Sequence, residues 1–397
     1  MSHSIRIAGL FAGIGGIELG FHRALGPSVE TLMLCESWAP AQQVLASRFP
    51  EVEIRPDVRE LRELPEDLDV LTAGFPCTDL SQAGRTAGIA GAQSGLVAHV
   101  FDALRLAARQ HRLPWLMIEN VPNMLALDRG QAMKYLVSEV ESLGYRWAYR
   151  VVDSRFTGVP QRRRRVIFLA SPSEDPRAVL FADDAGPRGP SDFSEDAYGF
   201  YWTEGRGGLG WAKDGVPTIK GGSTLGIPSP PGIWIPGAEA GRRLVKPSVE
   251  DAEELQGFER GWTTPGDPDA RRNGPRWKLV GNAVTVDVAA WVAKRLVTPG
   301  DVLCEARRWE GNGSWPTAAW GEGGRVWTVN ASEFPRHAPY RHLLDVVDHT
   351  DAELLTYRAT AGFWNRLQEG NLGRHPGFRE DVAEHIDEMN LTPMLAV

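Results

Sequence analysis

Cysteine is scarce in this 397-residue chain, which holds three. Cys35, Cys77 and Cys304 form no C-x-x-C pair, and an odd, widely spaced set argues against both a disulfide framework and a zinc ribbon. Long apolar runs are missing too. No stretch reaches the length of a membrane span, and the opening MSHSIRIAGLF lacks the layout of a secretory signal. A soluble, cytoplasmic protein with no membrane partner is expected. An excess of positive charge is also absent: 43 Lys and Arg face 51 Asp and Glu, for a net charge of −8. Binding of nucleic-acid phosphates would therefore have to rely on local patches. Two exist, in QRRRRV at 161–166 and ARRNGPRWK at 270–278, while the tail REDVAEHIDEMN is acidic. There is no internal repeat and no low-complexity segment.

With 42% hydrophobic residues, the chain can bury a large core and divide into two or three domains. Its first third alternates short apolar runs (SIRIAGLF, TLMLCE, LDVLTAGF, PWLMIEN, then YRWAYRVVDS and RRVIFLA) with amphipathic stretches of helical length. Strands separated by such helices predict a doubly wound α/β fold, a parallel sheet covered on both faces. Ligands of such sheets bind at the carboxyl ends of the strands. From about 171 the texture turns rich in Gly, Pro and Trp with no long helical period, the mark of an irregular, loop-heavy domain.

The strand ends carry the chemistry. GLFAGIGGIELGF places glycines at 13, 15 and 16 where a backbone must turn tightly and approach a ligand, although Glu18 occupies the place of the third glycine of a dinucleotide fingerprint and so speaks against a nicotinamide dehydrogenase. Glu36 ends the second strand, where an acidic side chain can take ribose hydroxyls, and Asp57 ends a third. In GFPCTDLS, Cys77 follows the fourth strand. A free thiol has a pKa of about 8.5, so it is either inert core or a nucleophile helped by nearby charge. Glu119 and Asn120 close the next strand, and a carboxyl facing the same cleft as a thiol suits covalent attack with acid assistance.

Taken in order, FAGIGG, Glu36, Asp57, GFPC with Ser81, ENV, PQRRRR, ELQGF and GNAV give the chain, from residue 5 to about 297, a close resemblance to DNA (cytosine-5)-methyltransferases of bacterial or phage type. The resemblance implies an S-adenosylmethionine-dependent, Rossmann-like sheet. Its cofactor would lie on Phe11, Ala12, Gly13, Gly16, Gly74, Pro76 and Leu96, with the ribose on Glu36 and the adenine amine on Asp57. Asn282, Ala283 and Val284 would complete the pocket. It further implies a cytosine swung out of duplex DNA, Cys77 attacking C6, Glu119 holding and protonating N3, Asn120 bracing the Cys77 loop, and Arg163 and Arg165 from the pattern Q-x-R-x-R, the latter near the base O2 and the carboxylate. Strand alternation would send these two arginines to one face and Arg162 and Arg164 to the other, as surface or phosphate contacts.

The sequence departs from the family in CTDLS, where Thr78, Asp79 and Leu80 replace other residues, and in Ser37, which separates Glu36 from Trp38. Trp38 either reaches the adenine or joins the core. Residues 1–170, completed by 271–297, are expected to form the catalytic domain, 171–270 a target-recognition domain reading base edges through loops, and 298–397 an extension whose purpose is not legible. His342, Asp345 and His349 could share a helical face, with a solvated surface as the alternative to a metal site; no metal is expected. A monomer acting on double-stranded DNA is expected, with or without a cognate restriction endonuclease. The competing readings are a tRNA cytosine-5 methyltransferase, which the sizeable loop-rich insert disfavours, and an inactive DNA-binding relative, which the intact Cys77, Glu119, Arg163 and Arg165 set disfavours.

Overall fold

In the computed structural model, residues 4–76, 95–110, 113–203, 207–222, 229–269, 274–311 and 314–391 are described. Cys77, Thr78, Asp79, Leu80 and Ser81 lie outside them. The chain divides into two compact units, one of residues 1–157, 164–187 and 283–337, the other of 158–163, 188–282 and 338–397.

The apolar runs of the first unit become β1 (Ile5–Leu10), β2 (Val29–Cys35), β3 (Glu53–Arg55), β4 (Val70–Ala73), β5 (Trp115–Asn120), β6 (Arg146–Asp153) and β7 (Arg164–Ser171). Three more strands, β8 (Ala306–Arg308), β9 (Ala318–Glu322) and β10 (Arg325–Val329), join them in one ten-stranded sheet of order β8-β10-β9-β6-β7-β5-β4-β1-β2-β3. Strands β1 to β5 run parallel, and β7 turns antiparallel against β5. Side chains alternate between the faces of a strand, and both faces are apolar here. Ala8, Leu71, Leu116 and Ile118 point to a core with Val97, Phe101 and Leu104 of α3 (Leu96–Gln110) and Leu136 and Val140 of α4 (Gln131–Ser142). Ile7, Val70 and Met117 point the other way, to Ile17 and Phe21 of α1 (Gly16–Leu25) and Val288, Trp291 and Val292 of α5 (Val286–Val297). The helix α2 (Ala39–Arg48) follows β2. Gly20 makes the α1–α5 crossing close, since a Cβ there would stand 2.5 Å from the Val286 carbonyl oxygen; an alanine would overpack it by about 1–3 kcal/mol.

The second unit has strands of two or three residues, five of which form a sheet that ends on Glu353–Leu354. Its aromatic core joins Phe200, Trp234 and Leu244 to Phe363 and Leu367 of helix Tyr357–Glu369 and to Phe378 and Val382 of helix Phe378–Leu391. The stretch 298–397 is therefore divided between the units: β8 to β10 widen the first unit's sheet, and the terminal helices build the core of the second. Residues 158–163 and 274–282 also group with the second unit, where the sequence reading places them with the first. His342, Asp345 and His349 do not share a helical face, because the helix there spans only Leu343–Val346, and the His342 ring meets Asp214 at 2.6 Å. No group of three or more His, Cys, Asp or Glu able to hold a metal ion occurs among the described residues, and no helix there is long and apolar enough to cross a membrane.

Candidate active site

Register alone assembles the site. Leu10 lies opposite Cys35 and Ala73, Cys35 opposite Arg55, and Ala73 opposite Ile118. One residue further along each strand, Phe11, Glu36, Pro56, Gly74 and Glu119 form a row along the carboxyl edge of the sheet. Asp57 stands next to that row.

At its centre the chain after β1 turns sharply. Phe11 and Gly13 both have left-handed backbones, φ 55° and 58°. That conformation costs a bulky residue about 1–3 kcal/mol, and Phe11 is held in it by an edge-on contact with Phe75, the ring centroids 6.2 Å apart. Ala12 N–H donates to the Cys35 carbonyl at 3.0 Å, and the Ala12 carbonyl accepts from Gly15 N–H at 2.9 Å. Among the described residues, nothing stands within 4 Å of where a Cβ on Gly13 would be. Glu36 ties this loop to the next one: Oε2 accepts the Gly13 N–H at 2.9 Å and Oε1 the Trp38 N–H at 2.8 Å. A carboxylate can accept about four hydrogen bonds, so Glu36 retains acceptor capacity. Gly16 opens α1, and Leu96, half-buried, opens α3. Trp38 is half-buried at the start of α2.

Asp57 caps a short 3-10 turn, accepting from Arg59 N–H at 2.9 Å, and its carboxylate is clasped by the Arg59 guanidinium, with contacts of 2.6 to 2.9 Å. These hydrogen bonds hold its pKa down at about 2. Gly74 N–H donates to the Leu10 carbonyl at 3.3 Å, and Pro76 is exposed. Asn282 closes its helix exposed to solvent in the second unit, and Ala283 and Val284 begin the return of the chain into the first, just ahead of α5.

Because β7 is antiparallel to β5, its first residues reach the edge where β5 ends, with Asn120 opposite Val166. Arg165 therefore meets Glu119: its Nε lies 2.7 Å from Glu119 Oε1, both side chains nearly buried at 12% and 9% exposure. Among the described residues, Glu119 Oε1 has no partner that meets strict hydrogen-bond geometry, although the Arg165 guanidinium stands directly against it. Burial lowers the Arg165 pKa and Glu119 counters it. Asn120 is also buried; its Nδ2 donates to the Phe75 carbonyl at 2.9 Å and its Oδ1 accepts from Val121 N–H at 2.9 Å. The Phe75 carbonyl lies two residues ahead of Cys77.

The arginine run does not continue as one strand. Gln161–Arg162 pairs with Val216–Pro217, and β7 begins at Arg164. Arg163, between them, is buried in the second unit and donates to the carbonyls of Ile219 at 3.2 Å and Gly281 at 3.3 Å. Arg162 donates to the Gly210 carbonyl at 3.1 Å, and Arg164 pairs with Glu333, its Nε at 2.8 Å. In the same unit Gln161 and Gln256 bond each other at 3.1 Å, Gln161 Oε1 accepts from Ile219 N–H at 3.0 Å, and Gln256 donates to the Val280 carbonyl at 3.1 Å. Three sequence motifs thus share one buried network. The sequence reading assigns neither glutamine a role, although both stand inside the quoted motifs.

Of the three thiols, Cys35 is buried and pushed up to about 11 by burial and the nearby carboxylates, and the Cys304 pKa is raised by burial. Neither is a ready nucleophile at neutral pH. Glu18, read from the sequence only as a missing glycine, is buried at 1% exposure beneath β1, with the Thr72 hydroxyl donating to its Oε1 at 2.9 Å.

A doubly wound sheet with its acidic residues and glycine turn on the carboxyl edge defines the methyltransferase class of fold. Solved structures agree on the fold: the S. pombe Dnmt2 methyltransferase covers 74% of this chain and 98% of its own at TM-score 0.52 with 14% identity, and the Entamoeba histolytica methyltransferase EhMeth does so over the same shares at TM-score 0.51 with 15% identity. The family model of C-5 cytosine-specific DNA methylases matches residues 5–185. The Type II methyltransferase M2.BsuMI of Bacillus subtilis (strain 168) is 43% identical over 370 residues, 91% of this chain and 93% of that relative. The chain belongs to the C-5 cytosine-specific DNA methylase family, a family of transferases.

Proposed function

We propose that the chain methylates C5 of a cytosine swung out of a specific duplex DNA sequence, with S-adenosylmethionine as methyl donor. The observation that carries the reading is the buried Glu119–Arg165 pair at the end of β5, beside an Asn120 that holds the backbone two residues before Cys77.

The residues of the β1 turn suit the donor. Among the described residues Gly13 leaves open space beside a left-handed backbone, and Glu36 keeps acceptor capacity for ribose hydroxyls while it fixes the turn. Phe11, Ala12, Gly13, Gly16, Gly74, Pro76, Leu96, Asn282, Ala283 and Val284 would hold the rest, and Asp57 would take the adenine amine with an oxygen that it shares with Arg59. When bound, S-adenosylmethionine supplies an electrophilic methyl group. The Cys77 sulfur adds to C6, and electron density moves toward C5 and N3. Glu119 holds N3 and supplies the proton that quenches its charge, and the Arg165 guanidinium orients that carboxyl. With a methyl group taken up at C5, loss of the C5 proton expels the thiol, and the proton on N3 returns to Glu119.

Target recognition belongs to residues 171–270, and Arg163 ties that segment, at the Ile219 carbonyl, to the Gly281 carbonyl beyond it. The kinship with a relative named as a Type II methyltransferase supports an enzyme that marks DNA beside a restriction endonuclease, and it is read as cytoplasmic and monomeric.

A duplex synthesised with 5-fluorocytosine in place of cytosine tests the chemistry. Fluorine cannot leave as a proton does, so the native protein with S-adenosylmethionine should form an adduct that survives denaturation, and Cys77→Ala should form none. Noncovalent binding alone by the native protein would overturn covalent attack.

A further inference from the structure

The second unit carries a cationic notch that the site above does not use. It has a volume of about 340 Å³ and lies between helix Tyr357–Glu369 and the loop of Trp202, lined by Trp202, Thr356, Arg358, Ala359, Gly362 and Arg366. Residues 358, 362 and 366 are spaced by four, so two arginines and the glycine between them share one helical face. Gly362 leaves the gap: among the described residues, a Cβ there would touch only Arg366 Nη1, at 3.8 Å. Arg366 is anchored through its donation to the Trp202 carbonyl, while its Nε has no hydrogen-bond partner among the described residues. The Trp202 indole is itself fixed by donating to the Pro230 carbonyl at 3.0 Å.

Charge balance differs around the notch from most of the unit's ion pairs. In the same unit Arg243 faces Asp381 and Glu384, Arg260 faces Asp251 and Glu254, Arg276 faces Glu250 and Glu253, and Arg341 faces Glu254. Among the described residues the notch lining holds two arginines and no carboxylate, and exposed Arg358 has neither an ion pair nor a hydrogen-bond partner there. A protein of net charge −8 repels an anion from most of its surface, and uncompensated guanidinium groups are where a phosphodiester would be drawn in.

We infer that this notch is a docking point for the DNA backbone, with Arg358 and Arg366 on a phosphate and Trp202 as the wall beside it. The inference rests on the DNA-methylating reading, and it gives the chain beyond residue 338 a part in holding the substrate. Such a contact adds affinity and register without reading sequence.

The test is equilibrium binding of the full-length protein to a labelled mixed-sequence 30-base-pair duplex, by anisotropy, between 50 and 200 mM salt. Each lost phosphate contact lowers the slope of log affinity against log salt by about 1. Arg358→Ala should show that drop together with severalfold weaker binding. Gly362→Asp, which places a carboxylate in the gap, should weaken binding further. Melting temperatures matching the native protein would show both variants folded. Native slope and affinity in both folded variants would overturn the site. Failure of the native protein to bind duplex DNA would instead sink the functional reading on which the site depends.

Discussion

Replacing Glu18 by glutamine should remove a pH dependence from the stability of this protein. Glu18 stands on the first turn of α1, buried, with one hydrogen bond from Thr72 to Oε1 and, among the described residues, none to Oε2. Burial pushes its carboxyl from 4.5 up to about 7, and hydrogen bonds from its own backbone and from Thr72 only partly offset the shift. Between those pH values the native state keeps a proton that the unfolded chain has released, so stability falls as pH rises through the window. A shift from 4.5 to about 7, at about 1.4 kcal/mol per pH unit, amounts to about 3 kcal/mol. That contribution is whole below pH 4.5 and lost above pH 7. Glutamine has nearly the shape of the protonated acid and never ionises, so it escapes the loss. Guanidinium unfolding of native and Glu18→Gln protein at pH 5 and pH 8 measures the effect, and the contributions of all other titrating groups cancel in the difference. The variant should gain about 2–3 kcal/mol on the native protein between the two conditions. A gap that stays constant with pH would refute the assignment of a protonated carboxyl at this position.

Other perturbations follow from the same geometry. Glu36→Ala removes the acceptor of the Gly13 and Trp38 N–H groups and should weaken S-adenosylmethionine binding by about 10- to 100-fold, from about 1.5–3 kcal/mol per charged hydrogen bond; calorimetry reads it, and unchanged affinity would detach Glu36 from the pocket. Glu119→Gln should cut single-turnover methylation by about 10²-fold or more, with near-normal turnover removing it from the mechanism. Asn120→Ala frees the Phe75 carbonyl and should cost about 1 kcal/mol of stability, while the rate of adduct formation falls by more than that loss accounts for. Equal effects on both would leave Asn120 a purely structural residue.

The edge row was legible because buried parallel strands are continuous apolar runs, so the first residue past each run falls on the sheet's carboxyl edge. Phe11, Glu36, Gly74 and Glu119 follow from that rule. The arginines did not. Alternation assumes an unbroken strand, but Gln161–Arg162 hydrogen-bonds to Val216–Pro217 while β7 pairs with β5 and β6, and the chain passes from one unit to the other at Arg163. Arg164 is exposed, as the surface reading has it, and pairs with Glu333, while half-buried Arg162 holds the Gly210 carbonyl. The terminal helices were opaque for a different reason: Phe363 and Phe378 pack on Phe200 and Trp234, far upstream in sequence, and no local pattern announces such a partner. Glu18 was missed because a carboxylate at helix spacing looks solvated until the strand above it is known.

The two units exchange chain after residues 157, 163, 187, 282 and 337, so neither is a continuous stretch of the gene. Synthesis runs from the N-terminus, and a nascent chain on the ribosome that has finished β7 still lacks α5 and the strand that pairs with β6. Both arrive only after the whole of 188–282 has emerged. The first unit must wait with an open flank and a bare strand edge, and neither half can be cloned as a simple fragment and expected to fold.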